Sequence, residues 1–342
     1  MKKQLFGVLC GVFLLNMSIP LLADSKPAIS PIKKQKSTAK SENLTPEQLY
    51  RLGLASQDGK TAYNFFLKAA KDGHTAAQFE LGAMYEHGHG ITQDYRLARE
   101  WYLKAAKQGY PEAQFNLGVM YSNGKGTPQD YPLAQEWYLK AAKQGISQAQ
   151  YNLGTMYYHG QGIPQDYQLA REWYLKAAKQ GDPQAQYNLG IMYSNGKGTP
   201  QDYQLAREWH LKSARQGDAS AQYNLGVIYE CGYGVAQDYH LAREWYLKAA
   251  KQGIPEAQCN LGSMYFNEKG TPQDYHLAYE WFLKAAKQGN FIAQYNLGLM
   301  YKNGYGVNRD YKLACEWFLK AAKQGDADAQ KKYEELEPLF SR

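Results

Sequence analysis

The chain has 342 residues, 44% of them apolar and 21% charged, with 39 Lys and Arg against 32 Asp and Glu for a net charge of +7. That balance excludes a wholly disordered polypeptide. The charge is also uneven: the first 46 residues hold seven Lys against Asp24 and Glu42, a net +5, which leaves +2 for the rest. The remainder has no run of Lys or Arg, so the basic stripe of a nucleic-acid-binding array is excluded as well.

Residues 1–23 read as an export signal. Lys2 and Lys3 form a charged start, Leu5 to Ile19 an apolar stretch too short to span a bilayer comfortably, and Ala23 a cleavage point. No later segment is long and apolar enough to cross a membrane. The expected destination is therefore across the inner membrane, in the periplasm or secreted. Residues 24–46 are rich in Lys, Ser and Pro and poor in large apolar groups, so they are expected to be a disordered linker.

Self-similarity decides the fold of residues 47–342. Trp101, Trp137, Trp173, Trp209, Trp245, Trp281 and Trp317 recur every 36 residues. Each copy predicts two helices. In one copy, Asp182 and Pro183 open the first helix, and Ala185, Leu189, Met192 and Tyr193 mark its apolar face. Asn195-Gly196 stops it. Asp202 caps the second helix, which carries Leu205, Ala206, Trp209 and Ala214 and ends at Gly217. Asp94, Asp130, Asp166, Asp238, Asp274 and Asp310 take the same capping position. Helices this short need stacking on neighbouring copies, and that stacking is expected to bury the tryptophans.

Seven full copies run over 74–325. A degenerate helix pair with a shortened loop precedes them at 47–73, with Thr45 and Gln48 as a capping box. A polar capping helix closes the array at 326–342. The fold class is all-α, a solenoid of antiparallel helix pairs.

The unit A-x-x-x-L-G-x-M-Y, G-x-G, L-A-x-x-W-x-x-K-A-A-x-x-G resembles the Sel-one-like repeat, a relative of the tetratricopeptide repeat, from Leu49 to about Leu336. The resemblance implies a right-handed superhelix with a concave face. It also implies a role in assembling protein complexes, often at bacterial envelopes or between bacteria and host cells. Some cysteine-rich secreted members carry a β-lactamase label, but the in-repeat cysteine pair of that subgroup is missing here.

In the related geometry the first helix of each pair lines the groove. Positions there that vary between copies are free to face a ligand. The candidate groove residues are Tyr151, Tyr158, Tyr187, Ser194, Tyr223, Glu230, Phe266, Tyr295 and Lys302. Aromatic rings offer contact area at low entropy cost, and neighbouring amides suit an extended peptide. For the tyrosine row, packing between adjacent helices is the competing reading. Asn116, Asn152, Asn188, Asn224, Asn260 and Asn296 never change, which points to a structural tie between loop and helix.

His87 and His89 on a glycine turn are weak evidence for a metal, and none is expected. Cys231, Cys259 and Cys315 do not form a disulfide framework. Glu100, Glu136, Glu172 and Glu208 repeat beside Trp, which suggests helix-surface pairing or salt bridging. No nucleophile elbow, S-x-x-K, H-E-x-x-H or phosphate loop occurs. The expectation is a monomeric, non-enzymatic scaffold that holds a protein or peptide and uses no cofactor. The alternative is a peptidoglycan-related envelope factor or a β-lactamase-like hydrolase.

Overall fold

The structure is a computed structural model that describes residues 44–339. The signal expected at 1–23 and nearly all of the linker expected at 24–46 lie outside the described residues. The described residues form helices and one 3-10 turn, with no strand among them. They fall into two compact units, divided between Asp182 and Pro183. Each unit is a stack of helix pairs, so the fold is the expected all-α repeat solenoid.

The first unit holds α1 (Pro46–Ala55), α2 (Gly59–Lys71), α3 (Thr75–His87), α4 (Tyr95–Lys107), α5 (Pro111–Asn123), α6 (Tyr131–Lys143), α7 (Ser147–His159) and α8 (Tyr167–Lys179). Within it, each odd helix packs on the following even one, and each pair on the next. Thr45 opens α1 as a capping box: its hydroxyl accepts from the Gln48 N–H at 3.2 Å, and its own N–H donates to Gln48 Oε1 at 2.9 Å. Asp130 accepts the Leu133 N–H at 2.9 Å and starts α6. Gly124, at φ +67°, ends α5 in the left-handed region where a Cβ would be strained. Ala105, Ala106, Leu117 and Met120 form a buried core against Trp137.

The second unit holds α9 (Pro183–Asn195), α10 (Tyr203–Arg215), α11 (Ala219–Cys231), α12 (Tyr239–Lys251), α13 (Pro255–Asn267), α14 (Tyr275–Lys287), α15 (Phe291–Asn303), α16 (Tyr311–Ala322) and α17 (Ala327–Leu336), then a 3-10 turn at Glu337–Leu339. Asp202 accepts the Gln204 and Leu205 N–H groups at 2.9 Å to start α10. Asp238, Asp274 and Asp310 cap α12, α14 and α16 in the same way. α17 buries Ala329 and Leu336 and leaves Lys331, Glu334 and Glu335 exposed. One stop differs from its equivalents: Glu268, at φ +58°, holds the left-handed position that Gly232 and Gly304 hold elsewhere.

A polar tie repeats at the junctions. Gln258 donates to the carbonyl of Ala250 in the preceding pair at 3.1 Å and accepts from Gln288 of its own pair at 2.8 Å. A buried amide that meets both needs fixes the stacking register, because an unpaired one would cost free energy. Sequence patterns alone do not single out these glutamines, although A-Q recurs in every copy.

The tryptophans are less buried than expected. Trp137 is 8% exposed, but Trp101, Trp173, Trp209, Trp245, Trp281 and Trp317 are half-buried. Each indole reaches the surface and is covered by the lysine one turn on. Lys104 lies 3.7 Å from the Trp101 ring centre, and Lys176 lies 3.8 Å from that of Trp173. Salt bridging by Glu100, Glu136, Glu172 and Glu208 is accordingly corrected. The lysine four residues after each turns onto the ring, and among the described residues only Glu280 of this row pairs, with His276 at 3.7 Å.

Candidate functional site

The leucine-glycine pair on each first helix sets the geometry. The missing side chain at Gly118 lets the Tyr138 ring lie flat on the helix backbone, where a Cβ would come within 2.5 Å of a ring carbon. The same fit joins Gly82 to Tyr102, Gly154 to Tyr174, Gly226 to Tyr246 and Gly262 to Phe282. The tyrosine hydroxyls then point at residues near the end of the first helix. Tyr102 donates to Glu86 and Tyr246 to Glu230, both at 2.8 Å. Tyr138 meets Ser122 at 3.2 Å, and Tyr174 meets Thr155 at 3.1 Å.

This arrangement places most of the candidate groove residues inside the stack and corrects the expectation of an open lining. Tyr187, Ser194, Tyr223, Glu230, Tyr158, Phe266 and Tyr295 are all buried. Tyr187 packs on His210 at 5.7 Å between ring centres, Tyr223 on Tyr246 at 5.8 Å and Tyr295 on Phe318 at 5.6 Å. Tyr158 meets Tyr167 edge-on at 5.2 Å. Phe266 is enclosed by Tyr275 at 4.8 Å and Tyr305 at 5.4 Å. Tyr151 and Lys302 stay half-open. Tyr151 leans on Tyr174 at 5.7 Å, and Lys302 reaches Glu335 at 3.4 Å. The tyrosine row thus follows the packing reading.

The invariant asparagines are also placed differently from the expected loop tie. Asn116, Asn152 and Asn260 face the hydroxyls of Tyr102, Tyr138 and Tyr246 in the preceding copy. Burial raises the Tyr138 hydroxyl to about 12 and lifts the Tyr246 hydroxyl well above its usual range. Burial also raises the Glu230 carboxyl, opposed by Tyr246 and by Lys269 at 3.7 Å.

The open positions on the first helices lie at their ends, where His87, Asn123, His159 and Asn303 are exposed. A second, half-buried feature was not anticipated. Within each unit, several tyrosines that start second helices are covered by the glycine loop of the following copy. Lys125 lies over Tyr95 at 5.7 Å, Tyr233 stacks on Tyr203 at 4.8 Å, Lys269 lies over Tyr239 at 5.3 Å, and Tyr305 stacks on Tyr275 at 5.2 Å. The recurring Y-x-L-A was its only sequence signal.

Among the described residues, no three His, Cys, Asp or Glu side chains gather to hold a metal ion, and Cys231, Cys259 and Cys315 are unbridged. The rings of His87 and His89 stand 5.5 Å apart. No described helix is long and apolar enough to cross a membrane.

Comparison with known proteins gives a consistent picture. The Sel1 repeat model matches residues 48–74, 75–110, 111–146, 147–182, 183–218, 219–254, 255–290 and 292–326. A solved structure described as a protective antigen present in uropathogenic Escherichia coli strains, displaying an SLR fold, is 37% identical with a TM-score of 0.83. That match covers 87% of this chain and 65% of the other, so the chain spans just under two thirds of that protein's length. A Sel1 repeat protein from Oxalobacter formigenes is 34% identical with a TM-score of 0.67, covering 90% of this chain and 98% of the other. A search of curated proteins finds no match.

Proposed function

The chain belongs to the Sel1 repeat family, and on that premise we propose that it is a non-enzymatic scaffold of the bacterial envelope, or a secreted one, that holds a protein or peptide partner along its first helices. Sel1 repeats typically mediate protein–protein interaction. The observation that carries the reading is the contrast between a nearly invariant stack and varied open positions. His87, Asn123, His159 and Asn303 occupy equivalent helix ends and are all exposed, yet two are histidines and two are asparagines. Tyr151 and Lys302 add half-open aromatic and charged groups. Residues that vary on a fixed backbone are where recognition can be tuned without loss of fold. The Lys-rich start supports export, and the description of a 37% identical relative as a protective antigen supports a role in host interaction.

The test begins by capturing partners with the exported chain from envelope extract and from host-cell extract. Affinity is then measured for each purified partner against a His159→Ala/Lys302→Ala variant of unchanged melting temperature. A loss of tenfold or more supports the scaffold reading. Unchanged affinity for every partner sinks the first-helix surface. Retention on purified peptidoglycan alone, or turnover of a β-lactam, would favour the envelope-factor or hydrolase alternative.

A further inference from the structure

Residues 111–146 provide a template for residues 183–218. In the template the Tyr138 ring lies on Gly118, its hydroxyl meets Ser122 Oγ at 3.2 Å, and Asn152 of the next copy faces the same hydroxyl. In 183–218 the serine recurs as Ser194 and the glycine as Gly190, and the asparagine of the next copy as Asn224, but the tyrosine is replaced by His210. The imidazole lies on Gly190 as the phenol does on Gly118. Its five-membered ring ends well short of the place a phenolic oxygen would reach.

The groups that such an oxygen would serve are all left over. Ser194, His210 and Asn224 are each 0% exposed. Ser194 Oγ, both His210 ring nitrogens, and both Asn224 amide atoms have no hydrogen-bond partner in the protein. Buried polar atoms without partners are rare, and five on three side chains that converge in the template geometry form an unusual concentration.

We propose that Ser194, His210 and Asn224 enclose a site for one ordered water molecule, whose oxygen replaces the phenolic oxygen of the template repeat. The chemistry of the three groups fits this occupant. A buried water characteristically makes about three hydrogen bonds to groups that are otherwise unsatisfied. A serine hydroxyl both donates and accepts, an amide has an NH2 group that donates and an oxygen that accepts, and a neutral imidazole has one donor and one acceptor nitrogen. Burial keeps His210 neutral by holding its pKa down to about 3. None of the three side chains carries a charge, so a metal cation would be poorly matched.

Phe282 supplies the contrast. It too removes a hydroxyl, and Ser263 Oγ and both amide atoms of Asn296 are left without partners. Its six-membered ring still extends to the para carbon, however. A non-bonded water cannot approach that carbon as closely as a phenolic oxygen bonded to it, so the site at His210 is the one with room.

The test is crystallographic, on the full chain at a resolution that shows solvent, for wild type, His210→Tyr and the reciprocal Tyr138→His. The expected wild-type result is one ordered water within hydrogen-bond distance of His210 and of Ser194 or Asn224. His210→Tyr should replace it with the phenolic oxygen and raise the melting temperature by about 2–4 °C. Tyr138→His should gain a water beside Ser122 and Asn152. Absence of solvent density at the three wild-type side chains would overturn the proposal, and so would a water that stays in place in His210→Tyr.

Discussion

Gln144 donates from Nε2 to Oε1 of Gln114 at 2.8 Å, and Gln114 donates from its own Nε2 to the Ala106 carbonyl at 3.1 Å. One buried amide thus joins its own second helix to that of the preceding copy. Gln114→Ala removes both bonds, while the Ala106 carbonyl keeps the Gly109 N–H at 3.0 Å and Gln144 keeps the Gly109 carbonyl at 3.0 Å. The expected cost is about 1–3 kcal/mol, read as a lower urea midpoint. A variant as stable as wild type would show that the tie contributes nothing.

Gly118→Ala should destabilise by about 1–3 kcal/mol, because the added methyl would stand 2.5 Å from the Tyr138 ring. The steric origin is checked with a double-mutant cycle. Combined with Tyr138→Ser, the methyl should cost much less than alone. Simple additivity of the two costs would point to a different cause.

Glu268→Gly should stabilise the second unit by about 0.5–1 kcal/mol. A side chain at φ +58° is strained in left-handed backbone that glycine adopts freely, and the gain is partly offset by the greater freedom of glycine in the unfolded chain. Thermal unfolding measures it. Glu268→Ala should bring no such gain, since alanine suffers the same strain.

Stability should fall as pH drops from about 6.5 toward 3. Burial lowers the His210 pKa from 6.5 to about 3, so on acidification the unfolded chain takes up the proton first. The stability is fully present above the unfolded value and is lost by about 1.4 kcal/mol for each pH unit below it. Urea titrations at pH 7.5 and 5.5 should show a drop in wild type that exceeds the drop in His210→Tyr. Equal drops would mean that this imidazole takes up its proton at the same pH in the fold as in the unfolded chain.

Phe282→Tyr should add about 1 kcal/mol by returning a hydroxyl to Ser263 and Asn296, both buried without partners there. Phe318→Tyr is the matched control. The residues equivalent to Ser263 and Glu230 in that copy are Leu299 and Lys302, which need no buried hydroxyl. A melting temperature raised in both variants, or in neither, would contradict the assignment.

Local signals read correctly wherever one residue type answers one backbone need. Asp130 and Asp202 cap helices, Thr45 and Gln48 form the box, and the tryptophan step fixes the repeat. The candidate groove failed for a reason that lies between residues. Glu86, Ser122 and Glu230 vary, and variation along a row suggests freedom. In the fold each is buried or half-buried beside a tyrosine hydroxyl, so the variation is compensation within a packed site. A single row read along the chain cannot show this, because the partner lies 16 residues away on the next helix. The glutamine tie is equally hidden, because an invariant amide in a helix has no local signature and its partners lie 8 residues before it and 30 after.

The relay through Gln114 bears on how such a chain can change length. Its three members lie one per helix at a constant spacing, and each next relay repeats the same residues. Excision of residues 111–146 would bring Gln150 to the place of Gln114, facing the same Ala106 carbonyl, with Gln180 in the role of Gln144. Recombination in whole 36-residue steps therefore leaves this relay intact at the joint, whereas a break of any other size strands a buried amide. Array length becomes a trait that genetic exchange can alter in one event, while the exposed helix ends diverge one substitution at a time.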